Sequence, residues 1–264
     1  MLEPIILGII QGIVEWLPIS SEGFLILAKI NIFDHTEDIG TLLKELLFLH
    51  FGTFLAALIY FRKDVLRLIK ALFRYKSQDI ETKNILVFLI ITTLISGIIG
   101  IIFLYTLTNL EDQLVLTGKG ITLFIGALLL ITAYLQLKPK NKGYRDAKDI
   151  KNTDSILLGI MQGLAVLPGM SRSGLTVSTL LLRKFDEIYA LKLSFLMSLP
   201  IVLGGNIILN YNNFNLTLYN LLGLLFAFVF GILTIDLLLK LARKINFGYF
   251  VLIFGVLTII SVLI

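Results

Sequence analysis

The sequence predicts an all-α integral membrane protein, an inverted-topology repeat with about six transmembrane helices and two re-entrant helix pairs. Three observations carry that prediction. The first is a segment that occurs twice, Leu7-Gly8-Ile9-Ile10-Gln11-Gly12 returning as Leu158-Gly159-Ile160-Met161-Gln162-Gly163. In each copy a Leu-Pro step follows, then a polar cluster, Ser20-Ser21-Glu22-Gly23 or Ser171-Arg172-Ser173-Gly174. Interrupted hydrophobic segments paired in two halves point to a midplane site, because broken backbone needs partners that lipid does not supply. The second is composition: the chain is 57% hydrophobic, beyond the about 45–50% of soluble domains, with mean hydropathy +0.92. The third is charge placement. Of 23 Lys and Arg, seven lie in 62–84, six in 138–151, three in 183–192 and three in 240–244, while 107–117 and 209–218 hold none.

Along the chain, residues 1–29 read as two short helices meeting near Pro18–Ser21, too polar in the middle for a plain span. This start carries Glu3, Glu15 and Glu22 and no basic stretch, which argues against a removable signal peptide. Residues 30–44 form a polar linker, with His35 solvated, before a span at about 45–62. In 63–74, Lys63, Asp64, Arg67, Lys70 and Arg74 alternate with Val65, Leu66, Ile69, Leu72 and Phe73, the pattern of an amphipathic interfacial helix. Spans at about 84–106 and 118–137 lead to a basic loop containing Pro139. The second interrupted segment occupies 154–182, and spans at about 187–208, 218–239 and 247–264 follow. Pro200 and Gly204-Gly205 are expected only to kink their helix. No polar stretch is long enough for a soluble domain, so residues 1–264 make one polytopic domain, with repeats at about 1–137 and 154–264.

The basic loops are cytoplasmic by the positive-inside rule. With such loops on both flanks, the second interrupted segment enters from the cytoplasm and returns there. The first should dip in from the opposite face, because the three spans between the copies invert one relative to the other. Both termini are then extracytoplasmic, in a plasma (inner) membrane. The net charge of +5 therefore belongs to membrane topology. Nucleic acid is a poor partner, since 63–74 lacks aromatic interleaving. Without cysteine, disulfides and thiolate chemistry are excluded. The chain has no Gly-rich Lys-Ser/Thr phosphate loop, no His-Glu-x-x-His zinc motif and no Gly-x-Ser-x-Gly elbow.

Glu15 stands four residues after Gln11, on the same helical face, and a carboxylate inside an apolar segment marks a functional site by default. Arg172 is the one basic residue of either interrupted core. Ser171, Ser173, Gly169, Gly174 and Thr176 surround it, and a guanidinium fork with hydroxyls and a helix start suits a phosphate oxyanion. Glu15 and Arg172 should face each other. Ser20 and Ser21 are helix caps or, for one of them, a nucleophile. Glu22 lies near the site or faces water. His50, alone in a span, reads as a hydrogen-bonded packing residue.

At these residues a resemblance becomes specific. The run from Gln11 to Gly23 resembles the (E/Q)xxxE-x-L-P-x-S-S-x-G motif of undecaprenyl-pyrophosphate phosphatases, the bacitracin-resistance family. Pro168-Gly169-Met170-Ser171-Arg172-Ser173-Gly174-Leu175-Thr176 is similar to that family's P-G-x-S-R-S-G-x-T signature, and Leu193-Ser194-Phe195 with Pro200 to its F-S-F…P stretch. The resemblance covers nearly the whole chain. It implies a membrane phosphatase that takes the terminal phosphate from a polyprenyl pyrophosphate, recycling the carrier for envelope glycan synthesis. It also implies a divalent cation, Mg or Ca. Three departures stand out: Phe24 where the motif usually has His, Glu22 in place of a small hydroxyl residue, and Glu45 one place further from Gly52 than the usual acid.

The expected partners are therefore the membrane and a polyprenyl pyrophosphate lipid, and a homodimer is compatible with the chain. On this reading Arg172, Ser171 and Ser173 bind phosphate oxygens, with Gln11, Ser20 and Thr176 as further phosphate contacts. Glu15, helped by Gln11, positions the cation or activates the attacking group, and Ser21 is the candidate nucleophile, with water as the alternative. Glu22 is the favoured substitute for the missing histidine, ahead of His50. Two other classes fit less well: a translocase for polyprenyl phosphate, and a lipid-binding scaffold that would leave Glu15 and Arg172 needlessly costly.

Overall fold

The computed structural model describes residues 2–33, 39–114, 118–138, 143–167, 169–210 and 217–263. Among these the chain is helical throughout, and its only extended pairing is a single bridge between Arg145 and Phe185. The helices are α1 Leu2–Val14, α2 Ser21–Ile32, α3 Ile39–Tyr60, α4 Arg62–Phe73, α5 Ile80–Leu114 and α6 Gly118–Leu137. They continue with α7 Asn152–Leu164, α8 Arg172–Leu182, α9 Glu187–Asn210, α10 Leu218–Lys244 and α11 Gly248–Leu263. His35 and Pro168 lie outside the described residues.

Among the described residues, four helices are long and apolar enough to cross a membrane: Ile80–Thr106, Lys119–Leu137, Glu187–Ile208 and Leu218–Leu241. The protein is thus a multi-pass membrane protein. The span anticipated at 45–62 is a helix that bends by 85° at Phe61 into α4, and counts as a fifth span only with its bent partner. α11 is shorter still, an apolar helix over Gly248–Val262, roughly 23 Å at the usual helical rise. The amphipathic α4 buries Leu68 and Ala71 and leaves Leu66, Ile69, Leu72 and Phe73 exposed. In a water-soluble protein that apolar stripe would be anomalous; at a membrane boundary it has a solvent.

The duplicated Leu-Gly-x-x-Gln-Gly segment has a packing cause. α1 lies along α10 and α7 lies along α5. A Cβ on Gly12 would stand 2.8 Å from both the Ala227 carbonyl oxygen and the Gly231 nitrogen, and one on Gly163 would stand 2.6 Å from Ile99 Cβ. Glycine spaced at one helical turn lets two backbones approach closely, and in lipid such van der Waals contact drives association. Both short helices are held this way against a long one. Trp16 then locks the first tip, donating its Nε1–H to the Gly231 carbonyl at 3.1 Å and packing on Phe195.

Candidate active site

The two interrupted segments meet tip to tip. Ser20 caps α2, its Oγ accepting the Gly23 N–H at 3.1 Å, and Ser171 caps α8 in the same way, accepting the Gly174 N–H at 3.0 Å. The tips are also tied to each other. Ser20 Oγ accepts the Gly169 N–H at 3.1 Å and Ser173 Oγ donates to the Leu17 carbonyl at 2.9 Å. Gly169 has φ +100°, a left-handed conformation that a side chain would strain. From α6, Thr132 Oγ1 donates to the Gly169 carbonyl at 3.2 Å and Gln136 donates to the Pro18 carbonyl. The backbone groups freed by the breaks thus find protein partners, as the membrane interior demands.

Arg172 forms an ion pair with Glu15 across this junction. The other Glu15 oxygen accepts from Ser21 Oγ at 2.9 Å and from Gln11 Nε2 at 3.1 Å. Gln11 Nε2 also reaches Thr53 Oγ1 of α3 at 3.3 Å. Two buried polar atoms here have no partner among the described residues, Arg172 Nη1 and Gln11 Oε1. Buried unsatisfied groups of a native site call for a ligand, ion or water, because leaving them bare costs roughly 1–3 kcal/mol each.

A cavity of about 440 Å³ opens from this point, with Glu15, Ser20, Ser21, Glu22, Arg172 and Ser173 at its polar end. Ser171 borders it as well. Its far end is apolar, walled by Ile98, Ile101 and Leu104 of α5 and by Val202, Gly204 and Ile208 of α9. Pro200 and Gly205, anticipated only to kink their helix, line the same cavity. The volume is in the range of small-ligand pockets, about 300–1,000 Å³.

Two of the named residues stand behind the site. Gln11 is fully buried and touches the cavity only through Glu15. Thr176 is also fully buried, its hydroxyl donating to the Arg172 carbonyl at 2.8 Å and meeting Ser194 Oγ at 2.7 Å. It braces the turn that carries Arg172.

His50, expected as a hydrogen-bonded packing residue and second to Glu22 for proton transfer, is brought by α3 to the polar end of the cavity. Its Nε2 lies 3.4 Å from Ser21 Oγ and 3.4 Å from Glu15, and 4.0 Å from Glu22 Oε1. Sequence reading also missed Thr53, Thr132 and Gln136. Their signal was present as polar residues inside apolar spans, which need an internal reason in lipid. Phe24 is stacked on Phe254 at 3.9 Å between centroids, in the α2–α11 interface. Glu45 pairs with the buried Lys29, away from the site.

Residues 4–260 match the family described as bacitracin resistance protein BacA. A protein of Methanococcoides burtonii named undecaprenyl-diphosphatase is 40% identical, covering 98% of this chain and 97% of its own length. Proteins of the same name from Methanothrix thermoacetophila and Haloarcula marismortui are each 36% identical, over 98% and 99% of this chain and 95% and 97% of their own. With a doubled motif explained by tip-to-tip packing and a family match over nearly all its length, the chain belongs to the bacitracin resistance protein BacA family.

Proposed function

We infer that this protein hydrolyses a polyprenyl pyrophosphate, of the undecaprenyl class named in its relatives, to the monophosphate and inorganic phosphate. The observation that carries the reading is Arg172 Nη1, a buried guanidinium donor without a partner among the described residues, at the polar end of a largely apolar cavity. A phosphate oxygen would satisfy it, and a prenyl chain would fill the trough between α5 and α9.

Arg172, with Ser171 and Ser173 beside it, would hold the oxygens of the transferring phosphoryl group and take up its developing charge. Ser20 fixes the geometry by capping α2 and tying the two tips, and Thr176 braces Arg172 from behind. Ser21 faces the cavity with its hydroxyl held by Glu15, the placement of a nucleophile. Glu22 borders the same space and would share the proton traffic. A divalent cation, Mg or Ca, fits the donors present, since hard cations of this type are often held by one or two carboxylates together with substrate phosphates. Glu15 and Glu22 would hold it, with Gln11 orienting Glu15. Among the described residues no three His, Cys, Asp or Glu side chains form a complete ligand set, so pyrophosphate oxygens would complete it. Bound there, the cation would offset the charge of the leaving phosphate.

The two Ser-capped tips support an inverted-topology repeat, with α1–α2 and α7–α8 as its re-entrant pairs. If the basic loops at 62–84 and 183–192 are cytoplasmic, the apolar end of the cavity lies in the outer halves of α5 and α9. The lipid would then enter from the extracytoplasmic leaflet of the plasma membrane. The deciding experiment measures phosphate release from a polyprenyl pyrophosphate by the purified protein in detergent. Release of one phosphate per lipid is expected; binding or transport without release would overturn the reading.

A further inference from the structure

We propose that His50 is the general base that takes the proton of Ser21 as it attacks phosphorus. The proposal rests on the reading of the protein as a pyrophosphate phosphatase with Ser21 as nucleophile, and adds the proton acceptor which that reading lacks. Its ground is the orientation of one ring. His50 Nδ1 lies 2.9 Å from the Leu46 carbonyl oxygen, one helical turn back on α3. A carbonyl only accepts, so this bond puts a proton on Nδ1, and in the neutral ring Nε2 is then the acceptor. That nitrogen faces the site, 3.4 Å from Ser21 Oγ, in a ring that is 6% exposed. Base–nucleophile contacts in unliganded sites are often longer than the roughly 2.6–3.2 Å of the reacting complex.

The arrangement is a nucleophile, a base and a third group orienting the base, with a backbone carbonyl as the third member. In this structure the Ser21 hydroxyl donates to Glu15 at 2.9 Å, an oxygen that also accepts from Gln11, and rotation about the Cβ–Oγ bond would turn that proton to Nε2 for the attack. Glu15 and Glu22 lie 3.4 and 4.0 Å from Nε2, so the ring stands at the polar end of the cavity beside Ser21.

In the first step the Ser21 Oγ–phosphorus bond forms as the bond from terminal phosphorus to the bridging oxygen breaks. The hydroxyl proton passes to Nε2, and polyprenyl phosphate leaves with the electron pair. In the second step a water oxygen bonds to phosphorus as Oγ departs. The imidazolium returns its proton to Oγ, and the water's protons leave with inorganic phosphate. No other reactant is needed.

The test begins with wild-type hydrolysis of a polyprenyl pyrophosphate; its absence would sink the phosphatase reading and not the role of His50 within it. Given that activity, His50→Gln and His50→Gly should each lower kcat about 10²–10⁴-fold with KM little changed, the usual range for a lost acid–base group. Added imidazole should restore turnover in His50→Gly and not in Ser21→Ala, which a structural role would not produce. Wild-type kcat in His50→Gln, or Ser21→Ala turning over while His50→Gln does not, would overturn the pair. Should the His50 variants fail to fold, the tautomer remains measurable. The chain has two histidines, so His35→Gln leaves one imidazole for ¹⁵N NMR. In the neutral ring the Nδ1–H tautomer is expected, and an Nε2–H tautomer would defeat the proposal.

Discussion

Two buried ionic clusters of this protein invite comparison. At the ends of α7 and α8 away from the tips, Asp154 is fully buried and every one of its acceptor positions is used. Oδ1 accepts from Arg183 Nε at 2.7 Å and from Arg145 Nη1 at 3.3 Å, while Oδ2 accepts from Arg145 Nη2 and from the Lys151 N–H at 2.9 Å. Arg145 goes on to donate to the Arg183 carbonyl at 2.9 Å and to the Asp149 carbonyl at 2.6 Å, and stacks on Phe185. At the tips Glu15 is also buried, yet Arg172 Nη1, at the cavity, and Gln11 Oε1, behind it, have no partner among the described residues. A saturated network has its ligand already: the protein itself. An unsaturated one is waiting for a ligand. Burial of charge alone does not separate the two, but the inventory of unused donors and acceptors does.

The sharpest way to break the comparison is to swap effects between the clusters. Arg172→Lys keeps the charge and loses the fork, so phosphate release should fall about 10²-fold, as for one lost oxyanion donor, while the melting temperature holds. Asp154→Asn should do the reverse. It leaves two guanidinium groups without their carboxylate, a change of about 3 kcal/mol in stability, taken at the low end because Arg183 is partly exposed. Thermal unfolding in detergent should register it, with kcat per folded molecule unchanged. A rate loss in Asp154→Asn larger than its loss of folded protein would put both clusters in one functional unit.

The sequence made the tip cluster legible because its residues violate a simple rule. Glu15 and Arg172 are charges inside apolar segments, and each sits beside a Pro-Ser-Gly break that repeats. The family followed from long motifs, and the multi-pass character from long apolar runs. The Asp154 cluster was invisible, since Arg145 and Arg183 lie in loops rich in basic residues and nothing local marks which of them turns inward. His50 was placed only second, behind Glu22, for a related reason. A histidine in a helix has a face but no neighbour until α3 is placed against the first tip. Gln136 and Thr132 needed the same long-range step, from α6 to both tips. Local pattern reports what must be special; only packing reports what it meets.

A finer cut within the saturated cluster is Arg145→Lys. Lysine retains the charge opposite Asp154 but cannot make the paired bonds, reach both carbonyls and lie flat on Phe185. Two or three hydrogen bonds are lost without stranding a carboxylate, so the expected destabilisation is about 1–3 kcal/mol, below that of Asp154→Asn. Urea or thermal unfolding of the two variants side by side checks the ranking. Equal losses would mean that Arg183 alone neutralises Asp154.

The smallest effect is expected at a third ionic group, which lies on the surface and calibrates the other two. Asp79 precedes α5, accepting from the Thr82 hydroxyl and from Arg67 Nη2 at 2.8 Å. The Thr82 hydroxyl first, and Arg67 after it, lower its pKa from an ordinary 3.8 to about 2. A carboxylate whose folded pKa is depressed stabilises the fold above its unfolded pKa, and that contribution disappears as pH falls through the folded value. The margin of the wild type over Asp79→Asn should therefore be constant above about pH 5 and shrink between roughly pH 4 and 2. Because the group is solvent-exposed, salt should shrink it too, whereas the Asp154 margin should resist salt. Melting curves of Asp79→Asn and Asp154→Asn at low and high ionic strength make the distinction. Equal salt sensitivity in both would show that water reaches Asp154, and would remove the saturated cluster from the comparison.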